Sequence, residues 1–244
     1  MSVPDLEITG DPGTVWRVGF EPDPWAWTSW IYATDSGLFD GRWDDQLGVF
    51  RTLYTSASLV GCFLELLAKH RPDTVLQEAL AEIDDPGNLA ADDREAPPGA
   101  IGSDWLEGRQ FGRATQVGRY CFITHSRTIA AIDAAGQFAA HGIPSRDVDA
   151  ALLKNAEDRV LTRSVARWVY DLRDDERNEL VDGVEFRSRL GDEIRMWAVF
   201  ERSPDETKRH SNLITPEWNA PVTPQTPELV DAFSRLGLFW HELE

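Results

Sequence analysis

Cysteine is nearly absent: Cys62 and Cys121 are the only two in 244 residues, far apart and each set among apolar neighbours. That scarcity excludes a disulfide-stapled scaffold and predicts two reduced thiols packed in a core. Long hydrophobic runs are missing too, none reaching the roughly 18 residues that a membrane-crossing helix requires. The N-terminal stretch carries Asp5, Glu7 and Asp11 where a secretory leader would place basic and then apolar groups, so a cytoplasmic protein is expected. Positive charge is in short supply, with 24 Lys and Arg against 42 Asp and Glu, a formal charge of -18. Such a field repels phosphate backbones and anionic lipid at long range, which argues against nucleic acid or a membrane as partner. A local arginine cluster in a cleft could still hold a small anion. Metal and nucleotide signatures are also lacking. His70, His125, His141, His210 and His241 are isolated, and neither HExxH nor CxxC occurs, so no metal site is expected. GxGxxG, GxxxxGK[ST] and GxSxG are absent as well, which removes the dinucleotide-fingerprint, P-loop and hydrolase-elbow readings.

What is present is the composition of a folded core, 42% hydrophobic with 10 Trp and 11 Phe, which rules out disorder of the whole chain. Strands are predicted over residues 15–20, 50–55, 110–114 and 119–124, and a closing pair over 184–187 and 194–201 around a turn at Gly191 and Asp192. Leu59, Cys62, Phe63, Leu66 and Leu67 recur at helical spacing, predicting a helix over 58–70 that Pro72 ends. Further helices are predicted over 74–83, 128–138, 147–153 and 158–171. Residues 84–102, dense in Asp, Pro and Gly, read as a surface excursion, and 203–226 as a polar, Pro-rich tail before an amphipathic helix at 227–240. The apolar patterns flanking the excursion are too short for separate cores, so one α/β domain over 1–244 is expected, with 227–240 as a helical extension.

Five residues remain as carriers of chemistry: Arg17 in TVWRVGF, Arg42 in FDGRWDD, Tyr54 in RTLYTSAS, Glu65 in GCFLELLAKHRPD and Ser188 in GVEFRSRLGDE. An early Arg on a strand, a G-R-W loop, an LYTS strand and a Glu on the next helix, in that order, resemble the RES domain, named for its Arg, Glu and Ser. The resemblance runs over 15–73 and returns over 182–202, with a longer middle at 84–180. It implies an α/β fold related to ADP-ribosyltransferases, a mixed sheet with flanking helices, and NAD as substrate, with no separate cofactor. It further implies NAD degradation by a glycohydrolase or phosphorylase, the toxin of a toxin–antitoxin pair, and a helix-turn-helix antitoxin as partner. On this resemblance Glu65, Arg17 and Ser188 are catalytic, and Arg17, Arg42, Tyr54 and Ser188 hold the substrate.

The residue types suit that task. Breaking a nicotinamide–ribose bond passes through an oxocarbenium-like transition state, which a carboxylate such as Glu65 stabilises. Nicotinamide leaves neutral from a pyridinium, so no acid is needed and one carboxylate is enough. Arg17 and Arg42 offer planar forks to a diphosphate. Tyr54 can stack on nicotinamide or bond a ribose, and Ser188 can orient a ribose or Glu65. Plainer readings stand beside these: surface ion pairs for the arginines, a half-buried strand aromatic, a sheet serine, and a solvated helix edge for Glu65. Glu65 is the most informative, because it sits between Leu64 and Leu66 on an otherwise apolar helix. Trp25, Trp27 and Trp30 suit a core or docking patch better than a substrate platform. Two other functions stay open: a catalytically silent RES-like module holding a nucleotide or a partner, and a carbohydrate-acting enzyme, which requires facing carboxylates in an aromatic groove.

Overall fold

The computed structural model describes residues 3–73, 97–155, 157–205 and 207–241. Its strands are β1 (Ile8–Thr9), β2 (Gly13–Phe20), β3 (Thr52–Ser56), β4 (Ala100–Gly102), β5 (Arg109–Gln116), β6 (Tyr120–Phe122), β7 (Gly183–Ser188), β8 (Gly191–Phe200), β9 (Ile214–Pro221) and β10 (Phe239–His241). The α-helices are α1 (Leu59–Leu67), α2 (Ser126–Ala134), α3 (Ala150–Lys154), α4 (Arg159–Asp171) and α5 (Pro227–Leu236). Eight strands form a mixed sheet in the order β1-β6-β7-β8-β3-β2-β5-β9, antiparallel except for β6 beside β7. Alternation along β8 buries both faces. Ile194, Met196, Ala198 and Phe200 join the core beneath the helices, and Trp197 and Val199 join a second core with Trp25 and Trp27.

The centre of this sheet is nearly parted. β2 pairs with β5 along its whole length and β3 with β8, but β2 and β3 share a single registered pair, Trp16 with Ser56. Carbonyls freed by the split find side-chain donors, as buried backbone groups must. Arg17 Nη1 donates to Tyr54 O at 2.9 Å, and Cys62 Sγ donates to Trp16 O at 3.3 Å. Helix α1 lies over this seam. Ser58 caps it by accepting from the Gly61 N–H at 3.2 Å, and Gly61 permits the close approach, since a Cβ there would come within 2.7 Å of Ser56 Oγ. On its other side α1 packs against α5, and Leu67, Leu229 and Phe233 share one core cluster.

Three expectations change. The β7–β8 turn is Arg189-Leu190, not Gly191-Asp192, because Ser188 Oγ accepts the Leu190 N–H at 2.9 Å and closes it earlier. The stretch 203–226 holds β9, an edge strand on β5 whose positions are mostly exposed. An edge needs no apolar face and tolerates Pro216 and Pro221, so its sequence lacks alternation. The terminal helix stops at Leu236, where Gly237 takes a left-handed φ of 68°, and the chain continues as β10. β10 pairs in parallel with β4, formed by the last three residues of the expected 84–102 excursion. The helix expected over 74–83, and 84–96, lie outside the described residues. No helix among the described residues is long and apolar enough to cross a membrane.

Candidate active site at the parted seam

The loop before β3 takes its shape from Gly41. Its N–H donates to Asp44 Oδ2 at 2.6 Å, and a Cβ at this position would lie 2.5 Å from both that oxygen and Tyr54 Oη. The Trp43 N–H donates to Tyr54 Oη at 2.9 Å, and the Tyr54 hydroxyl donates to Asp44 Oδ1 at 3.1 Å. From α4, Arg163 donates to Phe39 O at 2.6 Å, Gly41 O at 3.2 Å and Asp40 Oδ1 at 2.7 Å. Clamped from both sides, the loop turns Arg42 inward. Arg42 is 7% exposed, lies 4.9 Å over the Phe186 ring and donates to Lys154 O at 3.2 Å. Burial lowers its pKa, with Glu65 and Tyr54 opposing the shift. Burial also raises the pKa of Asp44, and it raises that of Tyr54 well above the usual phenol value with Asp44 adding to the rise. The phenol therefore stays protonated and keeps donating.

Helix α1 carries Glu65 to this arginine, with Oε1 at 4.0 Å from Arg42 Nη2 and the side chain 24% exposed. Oε1 is buried and has no hydrogen-bond partner among the described residues. Two other buried glutamates are treated differently, whereas buried Asp45 also leaves one oxygen, Oδ1, without a partner among the described residues while its Oδ2 accepts from the Val49 N–H. Glu185 accepts two 2.7 Å bonds from Arg195 and a third from Thr9 Oγ1, and Glu201 is gripped through both oxygens by Arg51. A buried acceptor left unmade costs about 1–3 kcal/mol, more if charged, so folding alone gives no reason for the bare oxygen of Glu65.

Beside this pair a cavity of about 320 Å³ has Arg17, Asp40, Asp44 and Tyr54 in its wall. Arg17 donates through Nε to Pro24 O at 2.6 Å and through Nη1 to Tyr54 O, which makes it a strut across the seam. Its Nη2 has no hydrogen-bond partner among the described residues. Burial lowers the Arg17 pKa, opposed by Cys62, Asp23 and Tyr54, and burial pushes the Cys62 thiol up to about 12. Ser188 is buried at the end of β7, bonded to the Leu190 N–H and to neither Glu65 nor the arginines. The structure thus joins Arg42 to Glu65 and Arg17 to Tyr54, with Tyr54 close enough to Arg42 to feel its charge. Arg42, Glu65 and Ser188 lie outside the cavity wall.

Asp44 and Arg163 shape the site and were not singled out from the sequence. The acid directly after Trp43 in FDGRWDD was the available signal for Asp44, whereas Arg163 looks like any polar helix arginine. The wall carboxylates are already committed, Asp40 to Arg163 and Asp44 to Gly41 and Tyr54, and no Trp lines the cavity. That is not the aromatic groove with facing carboxylates that glycoside hydrolysis needs. Trp25 and Trp27 are core residues, and Trp30 stacks on Phe39 at 5.0 Å. Among the described residues no group of three or more His, Cys, Asp or Glu is arranged to hold a metal.

A family model described as RES domain matches residues 14–223, a span containing all five residues. Comparison with curated proteins and with solved structures returned no match.

Proposed function

The chain belongs to the RES domain family, which includes NAD-degrading toxins, and on that premise we propose that it cleaves the nicotinamide–ribose bond of NAD. The bare, buried Oε1 of Glu65 beside Arg42 carries this reading. As the bond breaks, its electron pair leaves with nicotinamide, which turns from a pyridinium into a neutral molecule. Positive charge then develops on the ribose C1′ and ring oxygen, where the Glu65 carboxylate stabilises it while Oε1 accepts a ribose hydroxyl. The acceptor oxygen bonds to C1′ and sheds its proton to the carboxylate or to solvent. Water as acceptor yields ADP-ribose, and phosphate yields its 1″-phosphate.

Arg42 and the remaining Nη2 of Arg17 grip the diphosphate. Because the single Tyr54 proton is committed to Asp44, stacking of its ring on nicotinamide is the role its geometry supports. The Ser188 hydroxyl keeps its proton for a ribose, since it only accepts from Leu190. A cavity of about 320 Å³ is at the low end of the roughly 300–1,000 Å³ of ligand pockets. It suits the nicotinamide ring beside Tyr54, with the ribose reaching out of it towards Glu65 and the adenylate half beyond. We read the fold as related to that of ADP-ribosyltransferases, and the partner as a helix-turn-helix antitoxin, on the strength of family membership.

Incubating the purified protein with NAD, with and without phosphate, and measuring free nicotinamide tests the reading. Release in both conditions identifies water as an acceptor, and release only with phosphate identifies a phosphorylase. NAD bound without release under either condition would replace catalysis with the silent-module reading.

A further inference from the structure

Three separate stretches of chain converge on Arg42. The end of α3 brings Lys154, whose carbonyl accepts from Arg42, and the start of α4 brings Arg159, which donates to Asp40 O at 3.1 Å. β7 brings Phe186 under the Arg42 guanidinium and then runs into the Arg189-Leu190 turn. Lys154 pairs with Asp192 just past that turn, tying it to the end of α3. Burial lowers the Arg42 pKa, and the charges of Arg159 and Arg189 lower it further. Such a gathering is unexpected in a chain of net charge -18. Asp40 pairs with Arg163, Asp192 with Lys154, and Glu65 stands 4.0 Å from Arg42. Arg189 is exposed and forms no ion pair or hydrogen bond among the described residues.

We propose that Arg189, with Arg159, completes a phosphate-binding cluster around Arg42, and that this cluster takes the diphosphate of the dinucleotide. The inference rests on the NAD reading and deepens it, because Arg17 spends two of its nitrogens on backbone carbonyls and offers the diphosphate Nη2 alone, so further donors are needed. A guanidinium fork on a turn pinned by Ser188 offers paired donors to a phosphate oxygen pair. The cluster also supplies a basis for selecting a dinucleotide over a nicotinamide nucleoside.

Calorimetric titration with ADP-ribose tests this in wild type, Arg189→Ala, Arg189→Glu and, as a charge control, Arg146→Glu, whose exposed side chain pairs with Asp147. Losing one charge-assisted contact corresponds to about 10-fold in affinity. Arg189→Ala is expected to bind about 10-fold more weakly and Arg189→Glu more weakly still, with Arg146→Glu near wild type. Affinity for nicotinamide riboside, which lacks the diphosphate, should be unchanged. Equal ADP-ribose affinity in wild type and both Arg189 variants overturns the cluster, as does a wild type that does not bind ADP-ribose at all. Arg189-dependent binding by a wild type that releases no nicotinamide from NAD leaves the cluster standing and removes the catalytic reading.

Discussion

Glu185 and Glu65 both lose water on folding, yet Arg195 and Thr9 satisfy the first while Oε1 of the second is left bare. Part of that contrast was legible in sequence, since a Glu amid the leucines of α1 is anomalous, whereas nothing in VEF distinguishes Glu185 as a structural acid. Arg189 was illegible for the opposite reason: an arginine on a polar turn looks the same whether or not it meets two others. The thiols behave as expected from their apolar neighbours, and both are buried and free. Burial pushes Cys62 and Cys121 up to about 12, against an ordinary thiol value of 9.0. A raised folded-state pKa contributes stability that is intact below 9.0 and is lost as the pH climbs towards 12, because only the unfolded thiols release protons in that window. Urea midpoints should therefore fall as the pH rises above 9.0. At about pH 8, iodoacetamide should modify both thiols in urea and neither in the native protein, and rapid native labelling would contradict their burial.

At the level of elements, the seam between β2 and β3 does most to set the site. Period and turn formers revealed β2, β3 and α1, because each buries an apolar face that its own residues encode. β4, β9 and β10 were not legible, because edge and ribbon strands draw stability from a partner's backbone and carry no alternation of their own. The single pairing between β2 and β3 was hidden as well, because register between distant strands leaves no local mark. The G-R-W loop is where element and site meet. Gly41→Ala would drive a methyl into Asp44 and Tyr54, an overpacking that costs about 1–3 kcal/mol and moves Arg42. A lower melting temperature together with slower NAD turnover is the expected outcome. Gly10→Ala, with nothing within 4 Å of the added carbon, should match wild type in both. Unchanged turnover in Gly41→Ala would detach the loop from the site.

Across the whole molecule, the C-terminal elements belong to the support of the site although α5 and β10 follow the residues that the family model matches. We take the chain as one domain for this reason. Helix α5 buries Leu229, Ala232, Phe233 and Leu236 in the core cluster that holds α1, the carrier of Glu65. Fully burying a Leu or Phe is worth about 1.5–3 kcal/mol, so losing three such side chains removes roughly 5–9 kcal/mol. A typical domain has only about 5–15 kcal/mol in hand. Truncation before Pro227 should therefore leave a chain without cooperative unfolding by circular dichroism. A truncated protein that melts cooperatively near the wild-type temperature would make this segment a dispensable extension. The net charge of -18 describes the chain as a whole, and it concealed the local arginine gathering around Arg42.

The most direct test of the account is NAD turnover and NAD affinity in Glu65→Gln, which keeps the shape of the side chain and removes its charge. Losing one well-placed electrostatic contact in a transition state typically costs about 100- to 1,000-fold. The account predicts a kcat lower by that factor with NAD affinity nearly unchanged, because the arginines hold the ground state. A folded Glu65→Gln protein that releases nicotinamide as fast as an active wild type would contradict it.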